Sequence, residues 1–207
     1  MKKILVLKSS ILDSYSHSNK MVDYLIEHWQ NNHKDDLITV RDLAKDPVPA
    51  LDQATLFAFG EETAMLSEEQ NAARALSDEL ITELKAHDVI VITAPMYNFS
   101  ISAQLKHYID FIARAGKTFK YTEAGAVGLL ENKQAIVLTS RGGVHKDQPS
   151  DLVVPFLTQF LAFIGINDVQ FIMAEGTALG EEYAQQSHLQ AQKEMDAIIN
   201  TINISVK

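Results

Sequence analysis

Ile4-Leu5-Val6-Leu7-Lys8-Ser9-Ser10-Ile11-Leu12-Asp13-Ser14-Tyr15-Ser16-His17-Ser18-Asn19 is the stretch on which the fold turns. Its first four residues form a short, unbroken apolar run, the pattern of a parallel strand buried on both faces. Helical spacing follows at Met21, Val22, Leu25, Ile26 and Trp29. Between strand and helix lies a serine-rich loop. A strand, a hydroxyl-bearing loop and a helix N-terminus, in that order, make one unit of an α/β sheet.

The unit recurs along the chain. Leu37-Ile38-Thr39-Val40, Val89-Ile90-Val91-Ile92, Ala135-Ile136-Val137-Leu138 and Val169-Gln170-Phe171-Ile172 read as four more strands. A capping box, Ser67 with Gln70, opens a helix marked by Ala73, Leu76, Leu80, Ile81 and Leu84. Leu105, Tyr108, Ile109 and Ile112 mark another, and Ala191, Met195, Ile198, Ile199 and Ile202 a last one. With a helix over 152–164, five strands alternate with five helices. That predicts an α/β fold whose parallel sheet is covered on both faces. Residues 44–66 show no clear period and read as a long excursion. Residues 116–131, with glycines and aromatics, read as a small hairpin-like insertion. No repeat, low-complexity tract or linker splits the chain, so 1–207 is expected to be one domain.

The 152–164 helix is unusual. Leu152, Val153, Val154, Phe156, Leu157, Phe160, Leu161, Phe163 and Ile164 leave only Thr158 and Gln159 clearly polar. A helix apolar all round needs cover on every side. One face can take the sheet. The other is expected to take a second subunit, the alternative being burial under the 44–66 excursion.

Composition narrows the function. Apolar residues make up 46% of 207, enough for a sizeable core. A net charge of -9 argues against a broad surface for nucleic acid or anionic membrane. With no cysteine, disulfides, thiolate metal sites and thiol catalysis are excluded. The Ile4–Leu7 run is too short for a secretory signal, and nothing approaches a membrane span, so a cytoplasmic location is expected. No histidine or acid spacing suggests a metal site.

Three segments follow apolar runs: Ser9 to Asn19, Pro95-Met96-Tyr97-Asn98-Phe99, and Ser140-Arg141-Gly142-Gly143-Val144-His145. In a parallel sheet all three lie along its C-terminal edge, where open α/β sheets bind ligands. The first presents a helix N-terminus with hydroxyls from Ser10, Ser16 and Ser18, suited to phosphate without Lys or Arg. The plain alternative is capping by Ser16 or Ser18 alone. Tyr97 or Phe99 can flank a planar ring, or simply plug the core. Gly142-Gly143 lets backbone approach a ligand and offers two adjacent N–H groups to negative charge. His145 is a possible second donor, although a lone histidine is more often a surface or capping residue.

Common nucleotide motifs are missing. No G-x-G-x-x-G follows a strand. Gly116-Lys117-Thr118 resembles the end of a P-loop, but Phe111 occupies the place of its first glycine and a helix precedes it. A phosphoacceptor receiver needs acids where Lys8-Ser9-Ser10 stands.

At these residues the chain closely resembles the FMN-dependent NADH-azoreductases of the flavodoxin-like quinone reductase family. The resemblance runs nearly end to end. It rests on Leu5 to Ser10 with Ser16-His17-Ser18-Asn19, Ala94 to Phe99, Thr118-Phe119-Lys120-Tyr121-Thr122-Glu123, Ser140 to Gly143 and Phe163-Ile164-Gly165. It implies a flavodoxin-like sheet of strand order 2-1-3-4-5 and a homodimer holding one noncovalent FMN per subunit. NADH or NADPH would be the reductant, with ping-pong two-electron transfer to quinones and reductive cleavage of azo compounds. Ser10, Ser16, His17 and Ser18 would hold the phosphate. Met96, Tyr97, Asn98, Phe99, Ser140, Arg141, Gly142 and Gly143 would hold the ring and ribityl chain. Gly142 and Gly143, helped by His145, would serve catalysis by meeting charge on the flavin edge. Tyr121 and Phe163 would line the substrate cavity. Where the family commonly has Asn-Gly-Pro, this chain has Ala124-Gly125-Ala126. The rival readings are a flavodoxin-type one-electron carrier and a flavin-free nucleotide sensor.

Overall fold

A computed structural model describes residues 1–60 and 65–202; the 61–64 part of the 44–66 excursion lies outside the described residues. Among the described residues, seven strands and six helices follow the order β1 (Lys3–Lys8), α1 (His17–Asn32), β2 (Leu37–Asp42), α2 (Gln53–Ala58), α3 (Glu68–Ala86), β3 (Val89–Thr93), α4 (Ala103–Ile112), β4 (Phe119–Thr122), β5 (Gly125–Gly128), β6 (Gln134–Ser140), α5 (Val153–Ile164), β7 (Asp168–Ala174) and α6 (Glu181–Thr201). A 3-10 turn at Asp13–Tyr15 precedes α1.

The main sheet has the order β2-β1-β3-β6-β7, all parallel. Leaving out the hairpin strands β4 and β5, this is the expected 2-1-3-4-5. The continuous apolar runs have a simple cause, because alternate side chains enter two separate cores. Leu5, Leu7, Ile90, Ile92 and Val137 meet α3, α4 and α5 on one side. Ile4, Val6, Val89, Val91, Ile136 and Leu138 meet α1 and α6 on the other. The edge strand β2 is the least buried, which fits its weaker apolar pattern.

One helix was not legible. α2 lies in the excursion, is capped by Asp52 through Thr55 N–H at 2.7 Å, and packs on α3. Six residues are less than two turns, too few for a period to declare itself.

The insertion is the antiparallel hairpin β4–β5, and its placement matters. Leu130 N–H bonds Ile164 C=O at 2.9 Å, and a Cβ on Gly128 would collide with the backbone of Ile164 and Gly165. Glycine at 128 therefore lets the hairpin seat on the end of α5. Phe119 then packs 4.3 Å from Phe163 and 5.4 Å from Tyr121, ring centre to ring centre.

α5 buries Val153, Leu157, Leu161 and Ile164. Phe156, Phe160 and Phe163 are only half-buried, and Leu152 is 55% exposed. Leu56 and Phe57 of α2 stay exposed as well. Much of the apolar outer face of α5 therefore remains open in the single chain.

Candidate active site

The C-terminal ends of β1, β3 and β6 deliver the three loops to one place. β1 and β3 are locked beyond their last ladder bonds by Ser9, whose N–H bonds Thr93 Oγ1 at 2.8 Å and whose hydroxyl donates to Thr93 C=O. Ser10, next in line, places its hydroxyl 3.0 Å from Tyr97 O–H. That contact joins the first loop to the second.

Ser16 caps α1. Its Oγ accepts the Asn19 N–H at 3.1 Å and lies 3.1 Å from the Ser18 hydroxyl. Ser10, Ser16 and Ser18 are all buried. The N–H groups of His17 and Ser18 find no acceptor among the described residues, as expected in the first turn of a helix. The site thus offers two backbone donors and a set of hydroxyls, aided by the helix dipole. The His17 side chain turns away: its Nδ1 is 2.7 Å from His188 Nε2 on α6, and the rings stack. Burial, reinforced by Lys20, lowers the pKa of His17; burial, then His17 and Lys20, lowers that of His188.

The second loop is a tight turn. Tyr97 and Ser100 exchange N–H···O=C bonds of 2.8 and 3.0 Å, while Asn98 and Phe99 take φ of 49° and 68°. Asparagine tolerates that left-handed conformation; a bulky aromatic rarely adopts it. The Phe99 ring stands outward, 53% exposed. Met96 N–H bonds Ser140 C=O at 2.9 Å, tying this turn to the third loop.

The third loop is organised by backbone polarity. The carbonyls of Arg141, Gly142 and Gly143 accept N–H groups of Thr177, Ala178 and Gly176 at 3.1, 3.1 and 2.8 Å. These three carbonyls are occupied, whereas the Gly142 and Gly143 N–H groups have no acceptor among the described residues. The Arg141 side chain turns into the protein. Its side chain is fully buried, with Nη1 2.7 Å from Asp151 and 3.4 Å from Glu175. Asp151 in turn accepts the first N–H groups of α5, from Val153 and Val154. Glu175 accepts the backbone N–H groups of His145 and Lys146 at 2.8 Å each. His145 Nδ1 lies 2.8 Å from Ser150 Oγ, and its ring meets the Phe99 ring edge-on at 5.9 Å.

A Cβ placed on Gly143 would stand 3.0 Å from His145 Nε2. Its space is taken by the imidazole, and neither Gly142 nor Gly143 has a positive φ. Ser10, Ser16, Ser18, Met96 to Phe99, Ser140, Gly142, Gly143 and His145 are therefore linked into one constellation. Tyr121 and Phe163 form a separate aromatic group with Phe119. Sequence reasoning missed Thr93, Ser150, Glu175 and His188. Only Glu175 carried a readable signal, an acid directly after a strand.

The donors fit FMN. Its phosphate needs N–H and hydroxyl donors, which the start of α1 supplies. A polar ring edge can take the unpaired N–H groups of Gly142 and Gly143.

Residues 2–199 match the flavodoxin-like fold family along their whole extent. The chain belongs to that family. Among flavodoxin-like relatives, an FMN-dependent NADH:quinone oxidoreductase of Escherichia coli strain K12 is 58% identical over 200 residues, covering 97% of this chain and 100% of that protein. An azoreductase structure from Bacillus anthracis strain Sterne superposes with a TM-score of 0.90 at 27% identity, covering 97% and 100%. An FMN-dependent NADH-azoreductase from Bacillus anthracis strain Ames Ancestor, in complex with FMN, gives 0.87 at 28% identity, covering 98% and 99%.

Proposed function

We propose that this flavodoxin-like chain is an FMN-dependent NADH:quinone oxidoreductase that also cleaves azo compounds reductively. It works as a homodimer in the cytoplasm, with 1–207 forming one domain. The observation that carries this reading is the amide polarity of the third loop. All carbonyls of residues 141–143 turn to residues 176–178, which leaves two adjacent N–H groups unpaired at the same sheet edge as the start of α1.

Bound FMN supplies the two-electron hydride chemistry. The N–H groups of His17 and Ser18 and the hydroxyls of Ser10, Ser16 and Ser18 hold its phosphate. Met96, Tyr97, Asn98 and Phe99 support the ring, and Ser140 and Arg141 anchor the loop beside it, Ser140 C=O on Met96 N–H and Arg141 through its N–H to Ala174 C=O. Gly142 and Gly143 donate N–H groups, with His145, to the edge where negative charge gathers. Fixed donors of this kind need no reorganisation when charge develops. Tyr121 and Phe163 line the cavity for nicotinamide and then for a quinone or azo acceptor. The half-buried outer face of α5 supports a subunit boundary at this helix, with Phe163 lying on it. No side-chain nucleophile is required, in keeping with a ping-pong exchange.

The test is direct. Mild denaturation should release FMN, and NADH alone should bleach the bound flavin before a quinone restores its colour. Release of FAD, or flavin that NADH cannot bleach without a separate reductase, overturns the enzyme reading. The second outcome belongs to a flavodoxin-type carrier.

A further inference from the structure

We propose that Ser150 is a positioning residue that sets the tautomer of His145, so that the imidazole presents Nε2–H on the glycine side of the third loop. This inference rests on the donor role given to His145 above. Four contacts define the ring. Glu175 takes the backbone N–H groups of His145 and Lys146, which fixes where the side chain leaves the chain. The Phe99 ring abuts one side edge-on. Gly143, lacking a Cβ, leaves room for Nε2. Ser150 Oγ sits 2.8 Å from Nδ1.

The direction of that last bond decides the chemistry. A neutral imidazole carries one proton, and which nitrogen holds it is set by the partner of the other. Ser150 Oγ has no other hydrogen-bond partner among the described residues. Among the described residues its proton has one acceptor in reach, Nδ1. With Nδ1 accepting, the ring proton stands on Nε2, which lies 3.0 Å from the Cβ position of Gly143. The Nε2–H then joins the two unpaired glycine N–H groups as a third donor of this loop. The opposite tautomer would set a lone pair there, and a lone pair repels gathering negative charge.

Histidine imidazole 15N–1H correlation spectra of the FMN-loaded protein read the tautomer, with His145→Phe assigning the signal. The wild-type protein should show Nε2–H. Ser150→Ala should lose that preference and bind reduced over oxidised FMN about tenfold less selectively, a midpoint potential lower by about 30 mV. Ser150→Thr, which keeps the hydroxyl, should restore both. A wild-type Nδ1–H tautomer overturns the proposal without any variant. So does a Ser150→Ala protein with wild-type tautomer and potential. If His145→Phe lowers the potential and Ser150→Ala does not, only the role of Ser150 fails. If His145→Phe leaves the potential unchanged, the donor role of His145 fails as well.

Discussion

Replacing Arg141 by alanine should be a stability lesion that reaches the site only through the loops it braces. The guanidinium is fully buried and lies 2.7 Å from Asp151 and 3.4 Å from Glu175, whose side chains are 8% and 14% exposed. Removing one partner of a buried ion pair costs about 3–5 kcal/mol, because the other charge stays behind unpaired. Two features reduce that figure here. Asp151 and Glu175 keep their backbone donors, at Val153, Val154, His145 and Lys146. Arg141 Nε and Nη2 are themselves buried without partners among the described residues, so their desolvation cost leaves with the side chain. The expected loss is therefore at the lower end, about 3 kcal/mol. In a domain of this size that corresponds to roughly 6–12 °C in Tm. Urea unfolding of the FMN-free protein reads the loss directly, and Arg141→Lys should recover only part of it, since a point charge cannot replace the planar fork. FMN reduction by NADH, measured at a temperature where the variant is folded, should change by less than it does in Gly143→Val. A loss below about 1 kcal/mol, in the range of an exposed pair, would refute the view that Arg141 holds the loop from inside.

Gly143→Val should drive His145 Nε2 from the space it occupies 3.0 Å from the Cβ position, weakening FMN binding and slowing reduction by NADH. Loss of one donor to developing charge is worth roughly 3 kcal/mol, or about a hundredfold in stopped-flow rate; wild-type values with an intact circular dichroism spectrum would remove the electrostatic account of the loop. If the proposed homodimer forms through α5, Phe156→Asp or Phe160→Asp should give a monomer in light scattering, because an unpaired charge would be buried at the interface at a cost of several kcal/mol; a dimer unchanged by either variant would refute an α5 interface. Folded His17 and His188 have pKa values below 6.5, so as pH falls below 6.5 the unfolded chain binds more protons than the folded one. Their contribution to stability is thus present above pH 6.5 and is lost as pH falls through the folded values. His188→Gln should flatten that acid-side slope of Tm against pH, and an unaltered slope would exclude the pair as its source.

Much of the fold was legible because its strands are buried on both sides. Ile4–Leu7, Val89–Ile92 and Ala135–Leu138 send alternate side chains into two cores, and both cores demand apolar residues. Helices α1, α3, α4 and α6 each bury one stripe, which leaves a readable period. The three candidate loops could be named because they follow strands. Sequence alone thus determined the sheet, the edge that carries the site, and the residue types gathered there. It did not determine which way those residues point. Ser10 meets Tyr97 across 87 residues, and His17 meets His188 across 171. Arg141 is charged and adjoins a glycine pair, so it reads as a ligand contact until Asp151 and Glu175 close around it. Gly143 reads as room for a cofactor until the His145 ring fills that room. Local propensity acts over a helical turn or a strand pair. The direction of a backbone amide or a buried guanidinium is set by whichever distant group first satisfies its partner atoms, and only the tertiary structure decides that.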